Sequence, residues 1–117
     1  MDLAAKLQIK PGTTVAAVGA PDGGPDLTGL GAPDEPAAAG AVIAFVRRSD
    51  ELATRAGPAI TAARDDRLAW VAYPKAGQLG TDLNRDKLAA AMTAHGIQPV
   101  RQVALDEVWS ALRFRPA

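Results

Sequence analysis

The residues of this chain best suited to chemistry fall just after apolar runs. Arg47, Lys75 and Arg85 offer cations, Asp82 and Asp106 carboxylates, Thr81 a hydroxyl, and Tyr73 and Trp109 flat aromatic faces. In open α/β sheets, ligands bind beyond the carboxyl ends of parallel strands, so residues in such positions share one rim if the strands run together. Arg47-Arg48 follow one apolar run and Tyr73-Pro74-Lys75 end the next. Thr81-Asp82 and Arg85 open the helix after it, and Asp106-Glu107 turn a final hairpin whose return strand starts at Trp109. That set suits a small anionic or zwitterionic ligand. Arg47, Lys75 and the helix start near Asp82 would hold the negative part, and Tyr73 or Trp109 would cover an apolar part. A purely structural use outweighs it on the sequence alone: Arg47 or Arg85 pairing with Asp82 or Asp106, with Thr81-Asp82 as an ordinary helix cap. A third use is acid–base chemistry, with Lys75, Tyr73 and Asp82 or Asp106 acting on a phosphate- or carboxylate-bearing substrate.

The elements that must position these groups can be read from the pattern of the chain. Residues 2–8 suit one or two helical turns, ended by Pro11-Gly12. Residues 13–18 form a short apolar strand. Residues 19–40 mix glycine with proline, which makes them a loop, and residues 21–36 are expected to be the most mobile internal segment. Residues 41–46 are apolar on both parities, as in a strand covered on both faces. Ser49 is placed to cap a helix carrying Asp50 and Glu51 in its first turn and reaching about Arg64, with a kink at Gly57-Pro58. Residues 67–73 are the next strand, with Trp70 in the core. Residues 83–95 read as a second helix, with Leu88, Ala91 and Met92 on its apolar face and His95 in its last turn as a cap. Gly96 stops it in a left-handed conformation. Residues 99–105 and 108–114 follow as strands, antiparallel because two residues cannot make a parallel crossover.

The order predicts one α/β domain over residues 1–117: a small Rossmann-like, mostly parallel sheet with helices on its faces and a C-terminal antiparallel hairpin. It resembles the second half of class I methyltransferases, whose sheet also ends in a two-stranded hairpin. The strands that would lie beside residues 13–18 are missing. That leaves an edge for the 19–40 loop or a second copy to cover, so a homodimer or protein partner is expected.

Composition narrows the function classes. The chain has 117 residues, with 13 basic and 13 acidic side chains, one histidine and no cysteine. The neutral balance gives no reason to expect nucleic acid or an anionic membrane as partner. Thiol chemistry is excluded, and a histidine-based metal site is not expected. No segment has the length or polarity of a membrane span or secretory leader, so a cytoplasmic location is expected. Gly19-Ala20-Pro21-Asp22-Gly23-Gly24 lacks the G-x-G-x-x-G spacing, no helix follows it, and no strand supplies a ribose-binding acid. No cofactor is therefore expected. No motif identifies a reaction, and Ser49 and Ser110 lack a companion histidine.

Three segments carry a family resemblance. They are Trp70-Val71-Ala72-Tyr73-Pro74-Lys75, Thr81-Asp82-Leu83-Asn84-Arg85-Asp86, and the run from Asp106-Glu107-Val108-Trp109-Ser110 to Ala111-Leu112-Arg113-Phe114-Arg115. In this order they resemble the actinobacterial domain-of-unknown-function family 3052, over most of residues 6–18 and 41–115. The 19–40 loop departs from that pattern. The resemblance implies no activity, and it points to the same end of the sheet. A non-catalytic binding or interaction module is the leading reading. A small enzyme acting on an anionic metabolite and a regulatory partner of another enzyme are the alternatives.

Overall fold

A computed structural model describes residues 2–117. The apolar runs form a five-stranded sheet of order β1-β2-β3-β5-β4. Its strands are β1 (Val15–Val18), β2 (Ala41–Phe45), β3 (Leu68–Pro74), β4 (Ile97–Ala104) and β5 (Trp109–Pro116). The pairs β1–β2 and β2–β3 are parallel, whereas β3–β5 and β4–β5 are antiparallel. The sheet is therefore mixed, not mostly parallel. The return strand β5 inserts between β3 and β4 and takes the hydrogen-bonding edge that a parallel β3–β4 pair would have used. Because two antiparallel steps restore direction, β4 still runs the same way as β3. The carboxyl ends of β1 to β4 thus lie on one edge.

Both faces of the sheet are covered, which is why β2 is apolar at every position and buried along its whole length. One face packs under α2 (Leu52–Arg55), α3 (Gly57–Arg64) and α4 (Arg85–Thr93). Val42, Ala44, Val71, Tyr73, Leu112 and Phe114 meet Ile60, Leu88 and Met92 there. The other face has no large helix. Ile43, Phe45, Trp70 and Trp109 are covered by Leu7 and Ile9, just after the short helix α1 (Leu3–Lys6), and by Leu30 from the long loop. The alanines of the strands allow these layers to approach closely.

The helix after β2 is interrupted. A 3-10 turn at Ser49–Glu51 leads into α2, and α3 restarts with Pro58 in its first turn. Pro58 has no N–H for the Thr54 carbonyl, so the break falls where the sequence placed a kink. The residues 19–40 wrap around the open side of β1. The Val15 amide donates to Ala32 O at 2.9 Å and the Asp34 amide to Val15 O at 3.1 Å, around an isolated parallel bridge between Val15 and Pro33. Leu27 to Leu30 form a turn, closed by the Leu30 amide on the Leu27 carbonyl, and Leu30 is buried. The loop itself therefore covers part of the open edge of β1.

Helix α4 is shorter than the 83–95 span expected, and its N-cap is Asn84, not Thr81 or Asp82. The Asn84 Oδ1 accepts from the Lys87 amide at 2.8 Å. At the other end, the amides of His95 and Gly96 bond back to Met92 and Thr93 carbonyls, and the His95 carbonyl accepts from Arg64 Nε at 2.8 Å. His95 thus contributes its backbone to this end of the helix. Gly96 has φ +79°, and a Cβ there would meet nothing within 4 Å. The cost of a side chain at Gly96 is then one of backbone conformation alone. Gly96→Val should lower the unfolding free energy by about 1 kcal/mol or more. An unchanged urea midpoint would show that the turn adapts without cost.

Candidate functional site

The expected rim exists, but its members have separate duties. The turn after β2 and the loop after β3 are stitched together by hydrogen bonds. Arg48 Nη1 donates to Gly80 O at 2.6 Å, the Thr81 hydroxyl donates to the Arg47 carbonyl, and the Ser49 amide donates to Asp82 Oδ1 at 2.8 Å. The Ser49 hydroxyl donates to the second Asp82 oxygen. Thr81 and Asp82 therefore clamp two loops and do not cap α4. The two Ser49 bonds hold the Asp82 carboxyl below the usual carboxylate range, the hydroxyl bond contributing most. Such a depressed group stabilises the fold above the ordinary aspartate value, and that contribution disappears as pH falls through the folded-state value. Asp82→Ala should accordingly lower the urea midpoint at pH 7, and the gap from the parent should close in strongly acidic buffer. An equal gap at both pH values would rule out the ionised clamp.

Asp106 forms the hairpin turn. Its Oδ1 accepts from the amides of Val108 (2.8 Å) and Trp109 (2.7 Å). The Lys75 amide donates to Val108 O at 2.7 Å, so Lys75 and Asp106 sit at the same end of the sheet, as the strand directions require. Arg85 reaches Asp86 at 3.4 Å, and neither Asp82 nor Asp106 is its ion-pair partner. Neighbouring charges on an exposed helix turn explain this: Asp86 is adjacent, whereas Asp82 is already satisfied by Ser49.

The two aromatics do not share a site. Tyr73 faces the helices, where it is buried and its hydroxyl accepts from Gln102 Nε2 at 3.0 Å. Burial pushes its phenol up, against the opposing effects of the Arg85 charge and the Gln102 bond. Trp109 lies on the opposite face, edge-on to Phe45 with ring centroids 5.4 Å apart. The reason is the pleat: residue 73 pairs with Ser110, so its neighbour Trp109 points the other way.

A cleft of about 330 Å³ does open at this edge, lined by Gly19, Phe45, Arg47, Glu51, Arg55 and Trp109 among others. A smaller lobe of about 130 Å³ adjoins it through Pro21, Arg47 and Trp109, and brings in Asp22, Leu79 and Asp106. Of the residues expected to bind a ligand, Arg47, Asp106 and Trp109 line these lobes. Tyr73, Lys75, Thr81, Asp82 and Arg85 do not. Two further residues complete the larger lobe. Glu51 accepts from the amides of Arg47 and Arg48, and approaches Arg55 Nε at 3.8 Å. Arg55 lies over Gly19, whose φ is +71°; a Cβ on Gly19 would stand 3.4 Å from Arg55 Nη1 and 3.3 Å from Phe45 O. The i,i+4 spacing of Glu51 and Arg55, at the start of the helix that leaves β2, was the signal for both. Among the described residues, no carboxylate lies within ion-pairing distance of Arg47.

Among the described residues, no three acidic, histidine or cysteine side chains gather as metal ligands, and no helix is long and apolar enough to cross a membrane. No family model, no curated protein and no solved structure matches the chain.

Proposed function

We propose that this chain is a non-catalytic binding module on a reduced, methyltransferase-like Rossmann sheet, and that its ligand is a small anionic metabolite held at the carboxyl ends of β1 and β2. The observation that carries this reading is the pair Arg47 and Arg55 around one cleft, with Arg47 free of any ion-pair partner among the described residues. An unpaired guanidinium beside a second one is a ready receptor for a carboxylate or phosphate. The strand order supports the methyltransferase-like part of the reading, because a hairpin inserts its last strand between the two before it. Of the three segments that resemble family 3052, the third, on the hairpin, contributes Asp106, Val108 and Trp109 to the cleft lining.

Binding is favoured over catalysis by the state of the acid–base groups. Asp82 is held by Ser49, Glu51 by backbone amides, and the Tyr73 phenol is buried on the far face. Lys75 is not among the residues lining the cleft. Of the groups that an enzyme reading needs, only Asp106 lines the cleft, and its Oδ1 is held by the hairpin amides, so no acid–base pair converges there.

The test is a titration of ¹⁵N-labelled protein with acetate, succinate, inorganic phosphate and glycerol 3-phosphate. Saturable shifts at Gly19, the Arg55 side chain and the Trp109 indole, lost in Arg47→Gln with unchanged stability, support the site. Shifts confined to other surfaces, or none, overturn it. S-adenosylmethionine should show no micromolar affinity by calorimetry. The loop after β1 lacks the required glycine spacing, and no strand beside β1 supplies a ribose-binding acid. Micromolar binding would restore the methyltransferase activity itself.

A further inference from the structure

We propose that the ligand of the cleft is a zwitterion of the amino-acid class, its carboxylate in the larger lobe and its ammonium in the smaller one; this rests on the binding reading above. The two lobes differ in charge. The larger holds the Arg47 and Arg55 guanidiniums. Its one carboxylate, Glu51, is engaged through Oε1 by the amides of Arg47 and Arg48 and approaches Arg55 Nε at 3.8 Å through Oε2. That leaves Arg47 as the guanidinium without an ion-pair partner among the described residues. The smaller is lined by two carboxylates, Asp22 and Asp106. Arg47, Pro21 and Trp109 line both, so the two lobes adjoin, with Arg55 on the side of the larger and Asp22 and Asp106 on the side of the smaller.

These opposite charges have not neutralised each other. Arg47 lines the same lobe as Asp22 and Asp106, yet it pairs with neither. Asp106 spends only one oxygen, Oδ1, on the hairpin amides, which leaves Oδ2 to accept from an ammonium. Asp22 stands at the tip of the turn that the Gly24 amide closes on Pro21 O at 3.2 Å, with Gly23 at φ +71°. Asp22 and Asp106 both line the smaller lobe. A simple anion would gain from the first lobe and be repelled by the second. A molecule with a carboxylate and an ammonium a few bonds apart gains from both, which is how a site of this charge pattern selects among acids. Gly19 is favoured at this strand end by its φ of +71°, and a Cβ there would stand 3.3 Å from the Phe45 carbonyl oxygen.

The experiment compares three forms of each ligand against the full chain by ¹⁵N titration: the twenty free amino acids, their N-acetyl derivatives, and their amides. A free amino acid should bind about tenfold or more tightly than its N-acetyl form, which keeps only the carboxylate, and than its amide, which keeps only the ammonium. Asp106→Asn keeps an oxygen for the hairpin amides, so the fold should be retained. It should erase the preference for the free amino acid while leaving the N-acetyl form unaffected, whereas Arg55→Gln should weaken both. Equal binding of free and N-acetyl forms, or an Asp106→Asn variant with unchanged preference, overturns the zwitterion assignment and leaves the anion cleft standing. If free amino acids, acetate and phosphate all fail to shift the cleft, the cleft reading falls as well.

Discussion

Trp70→Ala is expected to cost about 3–5 kcal/mol, a large part of the stability of a domain this size. Trp70 is fully buried in the middle of β3, and its indole Nε1–H donates to the Leu7 carbonyl at 3.0 Å. Removal leaves a cavity and an unpaired buried carbonyl together. It also detaches the one cover that this part of the sheet has, since Leu7 and Ile9 come from a chain segment with only a one-turn helix behind it. Trp70→Phe separates the two contributions. It fills most of the space but loses the donor, and should cost about 1–3 kcal/mol. Urea unfolding followed by far-UV circular dichroism measures both. A loss below 1 kcal/mol for Trp70→Ala would mean that the N-terminal segment and sheet collapse together over the gap, so that this face is not a packed layer.

The second large effect is expected at Gly31. A Cβ built there would lie 2.4 Å from Thr13 O and 2.9 Å from Val15 Cγ2. Backbone oxygen cannot yield as a flexible side chain does, so Gly31→Ala must push the loop off β1, at a cost of about 1–3 kcal/mol. The bonds of Val15 to residues 32 and 34 would loosen with it, and the freed strand edge should promote self-association. Gly57→Ala is the control. It sits at the start of α3 with open space around its Cβ position, and should be neutral or slightly stabilising. Denaturant midpoints and sedimentation velocity report the two consequences. Wild-type stability and a monodisperse boundary for Gly31→Ala would show that the wrap is not held closely against β1.

The loop 19–40 shows how a sheet edge can be covered without a regular strand. Its prolines and glycines prevent a helix or a regular strand, yet a single bridge at Pro33 and one buried leucine suffice to seat it. The same wrap delivers Gly19, Pro21 and Asp22 to the cleft. Edge protection and site construction are thus done by one segment, and loosening it by Gly31→Ala should affect both.

Local chemistry determined much of this molecule. Run length, β-branched content and flanking turn signals placed all five strands; Ala41–Phe45, apolar at every position and too short for a buried helix, is the clearest of them. Proline and glycine marked the break at Gly57-Pro58, the long loop, and the left-handed turn at Gly96, since each acts through its own backbone. Chain direction then put Arg47, Lys75 and Asp106 at one end. What the sequence could not decide was which of these groups meet. Tyr73 and Trp109 are separated by the pleat of two paired strands, a matter of register. Thr81 and Asp82 look like a helix cap in one dimension, and only the arrival of Arg47, Arg48 and Ser49 from another loop turns them into a clamp. Arg55 meets Gly19, from a remote part of the chain, at the cleft only once the sheet has brought the two together. Secondary structure follows from near neighbours, whereas a site is made of contacts between distant ones, which exist only once the sheet is assembled.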